Sequence, residues 1–500
     1  MEQIGLLSNC ELGRRLLGGR RPTSLDDFRQ SVPLTTYADY RTDFDRHRED
    51  NLPVKPRWWL RTSGKTGGPG NHKWAPYTPA MVKRLGESFF SVLILAAADS
   101  RNEFPFTEND HLLFTLAPHP YLSGAGARAL VEEFPFTFLP ALERAEKMDY
   151  EARMTEGLLE GMKVGIDHFF GVAVILVRIA EQFSQQASGS KISRYLTSPQ
   201  ILMRMARGML RARVQGRNHL LPKDIWNVKG LAVGGVDTSL FADRINEAWG
   251  REPIGGYGFT EAGSLLSVQP MHAPGMVFQP NLSLLEFIPQ SESDKNAADP
   301  SYRPQTLFLN EVEKDGIYEV VVTNFHGGAF TRYRVGDFIR IVALSDPERG
   351  VSTPEMVFHS RTNDRIDIAT LVRLTELMIW QAVEDCEMPY VDWTACKEYI
   401  GGQPRLAVYI EPRNGVIETT QIHDRIRQSL REMDPEYVGA ESILNRDLLR
   451  VALLPHGAFD RFIEARRKTG ADVAHIKPPR MQISEADLSL LYGGEPGRNP

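Results

Sequence analysis

The sequence predicts an α/β protein in two parts, a large N-terminal domain with a β-rich subdomain and a small, mobile C-terminal α+β lid. Three observations carry that prediction. Short apolar strands alternate with glycine turns and helices between about residues 111 and 250. Strand-like segments then crowd residues 284–343, and a βαβα rhythm begins after about 360.

Each element can be justified in order. Residues 79–100 and about 142–185 read as helices, separated by the strand-like run HLLFTLAP (111–118) and a Gly/Pro-rich loop. KGLAVGG (229–235) is an apolar run ending in glycines, and DTSLFADRINEAWG (237–250) follows as a helix. LLEFIP, TLFLNEV, IYEVVVTN and FIRIVAL are the strands of the β-rich stretch. The polar segment QSESDKNAADPSYRP (290–304) is expected to be a loose surface loop. RLAVYIEP (405–412) and LLRVALLP (448–455) are strands, and a helix runs from about 457 to 468. Between the strands, residues 419–434 place Ile422, Ile426 and Leu430 on one helical face. These readings set domains at 1–358 and 366–500, with the hinge at 358–366.

Composition narrows the function. Of 500 residues, 58 are Lys or Arg and 64 Asp or Glu, a net charge of −6 that disfavours a nucleic-acid partner held by a basic surface. Charged residues make up 24% and hydrophobic ones 42%, which excludes disordered and collagen-like chains. Cys10, Cys386 and Cys396 are too few for a disulfide framework and form no CxxC pair, so a reducing, cytoplasmic setting is expected. The first 22 residues lack a secretory pattern. FFSVLILAAA (89–98) and FFGVAVILVRIA (169–180) are shorter than the ~20 residues of a membrane span. Both read as buried core helices, and no membrane partner is expected.

HExxH, GxSxG and EF-hand patterns are absent, and no zinc-ligand spacing occurs. Gly64-Lys65-Thr66 resembles the end of a Walker loop, but Trp59 stands where the first glycine belongs. Gly124-Ala125-Gly126 with Ala129 matches a dinucleotide fingerprint only weakly. LRTSGKTGGPGNHKWAPYT (60–78) is more specific. It packs Thr62, Ser63, Gly64, Thr66, Gly67 and Gly68 into seven positions, with Lys73 beyond. Glycines let backbone N–H groups converge, hydroxyls add donors, and a lysine offsets charge, so such a loop can wrap phosphate oxygens.

This segment resembles the phosphate loop of adenylate-forming enzymes. Downstream, Gly256-Tyr257-Gly258-Phe259-Thr260-Glu261 resembles the Tyr-Gly-x-Thr-Glu motif of that superfamily, and Tyr333-Arg334-Val335-Gly336-Asp337 its Tyr-Arg-x-Gly-Asp motif. Within it, residues 284–289, 316–341 and 457–480 are similar to the auxin-responsive-promoter (Gretchen Hagen) acyl acid–amido synthetases, including a late Lys-x-Pro-Arg at Lys477.

The resemblance implies a ligase that uses ATP and Mg²⁺ to turn a small carboxylic acid into an acyl-adenylate. The acyl group then passes to an amine, an amino acid by the family's pattern. A thiol acceptor is the alternative, and a non-catalytic nucleotide-binding relative a third reading. By the same resemblance, Thr62, Ser63, Gly64, Lys65, Thr66, Gly67 and Lys73 hold phosphates. Tyr257 stacks on adenine, with Gly258 beside it and Gly234 and Gly235 at its other face. Thr260 bonds the α-phosphate, Glu261 holds Mg²⁺, Asp337 bonds the ribose, and Arg361 supports the nucleotide. Lys477 stabilises charge as pyrophosphate leaves. Lys65 departs from the Ser or Thr usual at its position, so it either contacts phosphate or points to solvent. His119, in Pro118-His119-Pro120-Tyr121, lies where an acyl-pocket gate is often found; a loop histidine is the competing reading.

Overall fold

The protein is described by a computed structural model over residues 1–62, 72–98, 105–185, 198–234, 238–270, 272–361, 365–368, 372–400, 403–413, 418–444, 446–467 and 478–493. It divides into two compact units, one of residues 1–335 and 339–358, the other of residues 336–338 and 359–500.

The first unit opens with short helices and a two-stranded antiparallel ribbon, β1 (Trp58–Arg61) and β2 (Trp74–Tyr77). The main sheet is built from β3 (His111–Phe114), β4 (Thr137–Leu139), β5 (His168–Val172), β6 (Gly230–Gly234), β7 (Pro253–Phe259), β8 (Ser264–Val268), β9 (Met276–Phe278), β10 (Ser283–Pro289), β11 (Leu307–Phe308), β12 (Ile317–Asn324), β13 (Tyr333–Ala343) and β14 (Glu355–Arg361). Their order is β11-β10-β12-β13-β14-β9-β8-β7-β6-β5-β3-β4. From β4 to β7 the strands are parallel, and at β8 the sheet turns antiparallel. The β-rich strands therefore extend the α/β sheet instead of forming one of their own.

Two expectations are corrected here. FFGVAVILVRIA is not one helix: His168–Val172 is a strand and Ala173–Gln185 the helix after it. A strand flanked on both sides is apolar throughout, and such a run reads like a buried helix. The polar segment at 290 is not a loose loop either, because Gln290–Ala298 is helical. Polar contacts hold it: Ser293 Oγ donates to Glu319 (2.8 Å), and Asn296 accepts from Arg334 (2.6 Å). With no apolar stripe, it left no periodic signal.

Gly124 and Gly126 lie in the helix Leu122–Glu133, not in a nucleotide loop. A Cβ at Gly126 would come within 2.2 Å of the Phe89 ring, so this glycine permits close packing against the helix Pro79–Ala97.

The second unit holds a hairpin, β15 (Arg365–Ile368) with β16 (Val372–Thr375), and a sheet of β17 (Tyr390–Ile400), β18 (Gln403–Pro412) and β19 (Leu449–Leu453). β18 and β19 are parallel, joined through the helix Thr419–Met433, on which Ile422, Ile426 and Leu430 are buried as their spacing predicts. Among the described residues, no helix is long and apolar enough to cross a membrane.

Candidate nucleotide site

At the end of β7 the chain makes one tight turn, Thr260–Ala262. Three consecutive carbonyls of that turn are each held by a different strand. Tyr77 Oη on β2 donates to Thr260 O (2.7 Å), Asn324 Nδ2 on β12 to Glu261 O (2.9 Å), and Ser283 Oγ on β10 to Ala262 O (3.1 Å). Gly263 closes the turn with φ of +88°, in the left-handed region that favours glycine.

The pinned turn presents the Glu261 carboxylate to two side chains. Tyr333 Oη donates to Glu261 Oε1 at 3.0 Å, and Lys73 Nζ donates to Tyr333 Oη at 3.2 Å. Lys73 Nζ lies 3.6 Å from the same carboxylate oxygen and faces the Tyr37 ring, 5.6 Å from its centre. Burial, and then the charge of Glu261, pushes the Tyr333 phenol far above its ordinary pKa, so it stays protonated as a donor. Tyr37 fixes the start of β2 by accepting from the Trp74 N–H (2.6 Å) while donating to Asp45 (3.1 Å).

The Thr62 N–H donates to Lys73 O at 2.9 Å, clamping together the two residues that bracket the glycine-rich segment. The Thr62 hydroxyl is buried and has no hydrogen-bond partner among the described residues. A buried polar group is normally satisfied, so an orphan beside a lysine suits an oxygen-rich ligand. Ser63, Gly64, Lys65, Thr66, Gly67, Gly235 and Lys477 lie outside the described residues.

Tyr257 is buried on β7, its ring 5.7 Å from Phe259 and 6.3 Å from Phe358. Gly234 pairs with Gly256 across the parallel β6–β7 register, and a Cβ at Gly234 would meet nothing within 4 Å. Gly258 is different: its Cβ would lie 2.7 Å from Leu265 Cα and 2.8 Å from Ser264 O. The register shift at Tyr257/Gly258 brings β8 that close, so this position excludes a side chain for packing reasons alone.

Within the second unit, Arg361 Nε donates to Asp337 Oδ1 at 3.1 Å; the aspartate is buried and the arginine largely exposed. Just after Lys477, Pro479 and Arg480 are anchored on β17. Thr394 Oγ1 donates to Pro479 O (2.5 Å), the Ala395 N–H to Arg480 O (2.7 Å), and the guanidinium stacks 3.4 Å from the Trp380 ring centre.

His119 lies 5.6 Å from the Trp58 ring, in the loop whose Pro120 O accepts from the Arg61 N–H (2.9 Å), and its buried Nε2 has no partner among the described residues. Burial, reinforced by Arg128, lowers its pKa and keeps the ring neutral at neutral pH. Thr62, Lys73, Thr260 and Glu261 are thus brought together, and Asp337 and Arg361 form their own pair. Sequence reasoning gave no role to Tyr37, Tyr77, Ser283, Asn324 or Tyr333. Only Tyr333 carried a signal, as the first residue of a motif.

Among the described residues, no group of three or more His, Cys, Asp or Glu could hold a metal ion. Mg²⁺ is usually held by one or two carboxylates together with substrate phosphates, and the single buried carboxylate of Glu261 is a donor of that kind.

The fold is shared with a 2-hydroxyisobutyryl-CoA ligase in its postadenylation state (TM-score 0.60, 14% identity, 90% of this chain and 85% of that one). It is also shared with the GH3.15 acyl acid amido synthetase in complex with 2,4-DB (TM-score 0.69, 18% identity, 99% and 92%). Residues 2–122 are similar to the N-terminal domain of the GH3 family and residues 276–361 to its central domain. The resemblance read from the motifs is therefore borne out. A jasmonoyl–L-amino acid synthetase of Nicotiana attenuata is 28% identical over 254 residues, 47% of this chain and 40% of that protein. A 4-substituted benzoates–glutamate ligase of Arabidopsis thaliana is 33% identical over 262 residues, 47% and 42%. In these matches the chain spans about 40% of the length of its curated relatives.

Proposed function

We propose that this protein joins a carboxylic acid to an amine, through an acyl-adenylate made from ATP. The observation that carries the reading is the Lys73–Tyr333–Glu261 cluster on a turn held by three strands, beside the buried, unpartnered Thr62 hydroxyl. In the first step a carboxylate oxygen attacks the α-phosphorus, the bond to the bridging oxygen breaks, and pyrophosphate leaves. Thr62, Lys73 and the residues between them receive the phosphates, and Thr260 bonds the α-phosphate. Lys477 offsets the charge that develops there. Glu261 holds Mg²⁺, which when bound screens the phosphate oxygens from the incoming carboxylate. Asp337 bonds the ribose, with Arg361 alongside, and Tyr257 faces the adenine. In the second step the amine nitrogen attacks the acyl carbon, AMP leaves, and the nitrogen gives up a proton.

The amino-acid acceptor rests on the relatives, whose names specify amino-acid conjugates. A thiol acceptor is the second reading, because a CoA ligase shares the fold. Pyrophosphate release with ATP and a panel of acids tests the first step. Offering an amino-acid mixture and coenzyme A together, with products read by mass, tests the second. An amide with little thioester is expected; a dominant thioester overturns the amine while leaving adenylation standing.

A further inference from the structure

One helix that contributes no residue to the candidate site shows solvent an apolar face. Pro199–Val214 (PQILMRMARGMLRARV) is capped by Ser198 and buries only Ile201, Gly208 and Ala212. Its outer side carries Leu202 (47% exposed), Met203 (52%), Met209 (37%), Leu210 (65%) and Val214 (81%). At 3.6 residues per turn, these side chains and Ala206 fall within one arc of roughly 140°. Five of the fourteen large hydrophobics exposed among the described residues stand on this one helix. A soluble surface scatters such residues singly, so their concentration marks an interaction site.

Charge selects the occupant. The helix has four arginines, 204, 207, 211 and 213, and no acidic residue, in a chain of net charge −6. Arg204 and Arg211 donate to the carbonyls of Ile225 and Asp224 at 3.4 and 3.3 Å. Arg207 and Arg213 are exposed, with no ion pair among the described residues. Arg207 borders the apolar arc and Arg213 stands inside it. A second copy docking helix to helix would press these like charges together.

We propose that this helix lies on anionic lipid, its apolar arc in the headgroup boundary and its arginines on the phosphates. The absence of a spanning segment does not oppose this, since a 16-residue helix with four arginines binds along a surface without crossing it.

The test is co-sedimentation of the full chain with phosphatidylcholine vesicles containing none or 30% phosphatidylglycerol. Binding to the anionic vesicles only, weakening with salt, is expected. Leu202→Gln with Leu210→Gln should abolish it. Arg207→Gln with Arg213→Gln should weaken it about thirtyfold, at the usual contribution of a surface arginine. Both variants change exposed side chains only and should melt with the wild type. No binding at low salt, equal binding to both vesicles, or binding that survives both variants overturns the proposal. So does light scattering that shows a wild-type dimer split by the leucine variant, which would make the face a contact between copies.

Discussion

The Tyr333 phenol donates to Glu261 Oε1 at 3.0 Å while accepting from Lys73 Nζ, so it fixes the carboxylate relative to the lysine that flanks the glycine-rich segment. Tyr333→Phe keeps the ring, packed 4.7 Å from Phe330, and removes only the hydroxyl. A hydrogen bond to a charged group contributes about 1.5–3 kcal/mol. Pyrophosphate release should therefore slow about ten- to a hundredfold. The melting temperature should stay close to wild type, and an unchanged rate would remove the tyrosine from the site.

One residue earlier, Arg332 takes a left-handed backbone (φ of +45°) and buries its guanidinium. It donates to both oxygens of Glu286 and to the carbonyls of Arg29 and Val32. Glu286→Ala leaves that cation buried without its partner, which costs about 3–5 kcal/mol. A large drop in the denaturation midpoint is expected. A shift within experimental error would mean that the backbone carbonyls satisfy Arg332 unaided.

At the opposite ends of the parallel strands, Asp110 ties three of them together. It meets Lys229 at 2.5 Å before β6, His168 Nε2 at 2.9 Å on β5, and Thr107 at 2.5 Å before β3. Burial by itself would raise the Asp110 pKa, but these donors outweigh it and hold the pKa at about 2. The folded value lies below the unfolded one near 3.9, so the stabilisation is complete above about pH 4 and fades as the pH falls toward 2. Asp110→Asn should be less stable at pH 7 and should lose much less than wild type between pH 4 and 2. Parallel stability curves for the two proteins would place acid sensitivity elsewhere.

The sequence made the local part of this legible. Alternation and glycine punctuation located the helix carrying Ile422, Ile426 and Leu430, and the strands β6, β10, β12 and β18. Motif spacing selected Lys73 and Glu261, which lie 3.6 Å apart although 188 positions separate them in the chain. Groups that act through tertiary contact left no pattern. Tyr77, Ser283 and Asn324 hold the turn from three strands, and nothing local to any of them signals that role. Gly126 shows the converse. It matched a nucleotide fingerprint because close helix packing and phosphate binding both ask for glycine.

Gly258 separates those two demands. Its Cβ would lie within 2.8 Å of backbone atoms of β8, which cannot yield as a flexible side chain can. Gly258→Ala should destabilise by about 1–3 kcal/mol, the usual scale of overpacking. Because Thr260 follows two residues later, nucleotide affinity should fall with it. Wild-type stability together with weakened ATP binding would instead assign this glycine to the ligand.

The Asp337–Arg361 pair allows a sharper test, because two explanations predict different couplings. If Asp337 bonds a ribose, Asp337→Ala leaves hydroxyls unpaired and should weaken ATP binding about ten- to a hundredfold by calorimetry. Arg361 is 58% exposed at its side chain, and exposed ion pairs contribute about 0–1 kcal/mol, so Arg361→Ala should cost less than about fivefold. The double variant decides between the explanations. A carboxylate that contacts the nucleotide directly still matters when the arginine is gone, so the two losses should multiply. A carboxylate that serves only to aim Arg361 has nothing left to aim, and the double variant would then bind ATP like Arg361→Ala alone. Multiplying losses are expected, since Asp337 is the buried partner and a hydrogen bond formed away from solvent is the costlier one to lose.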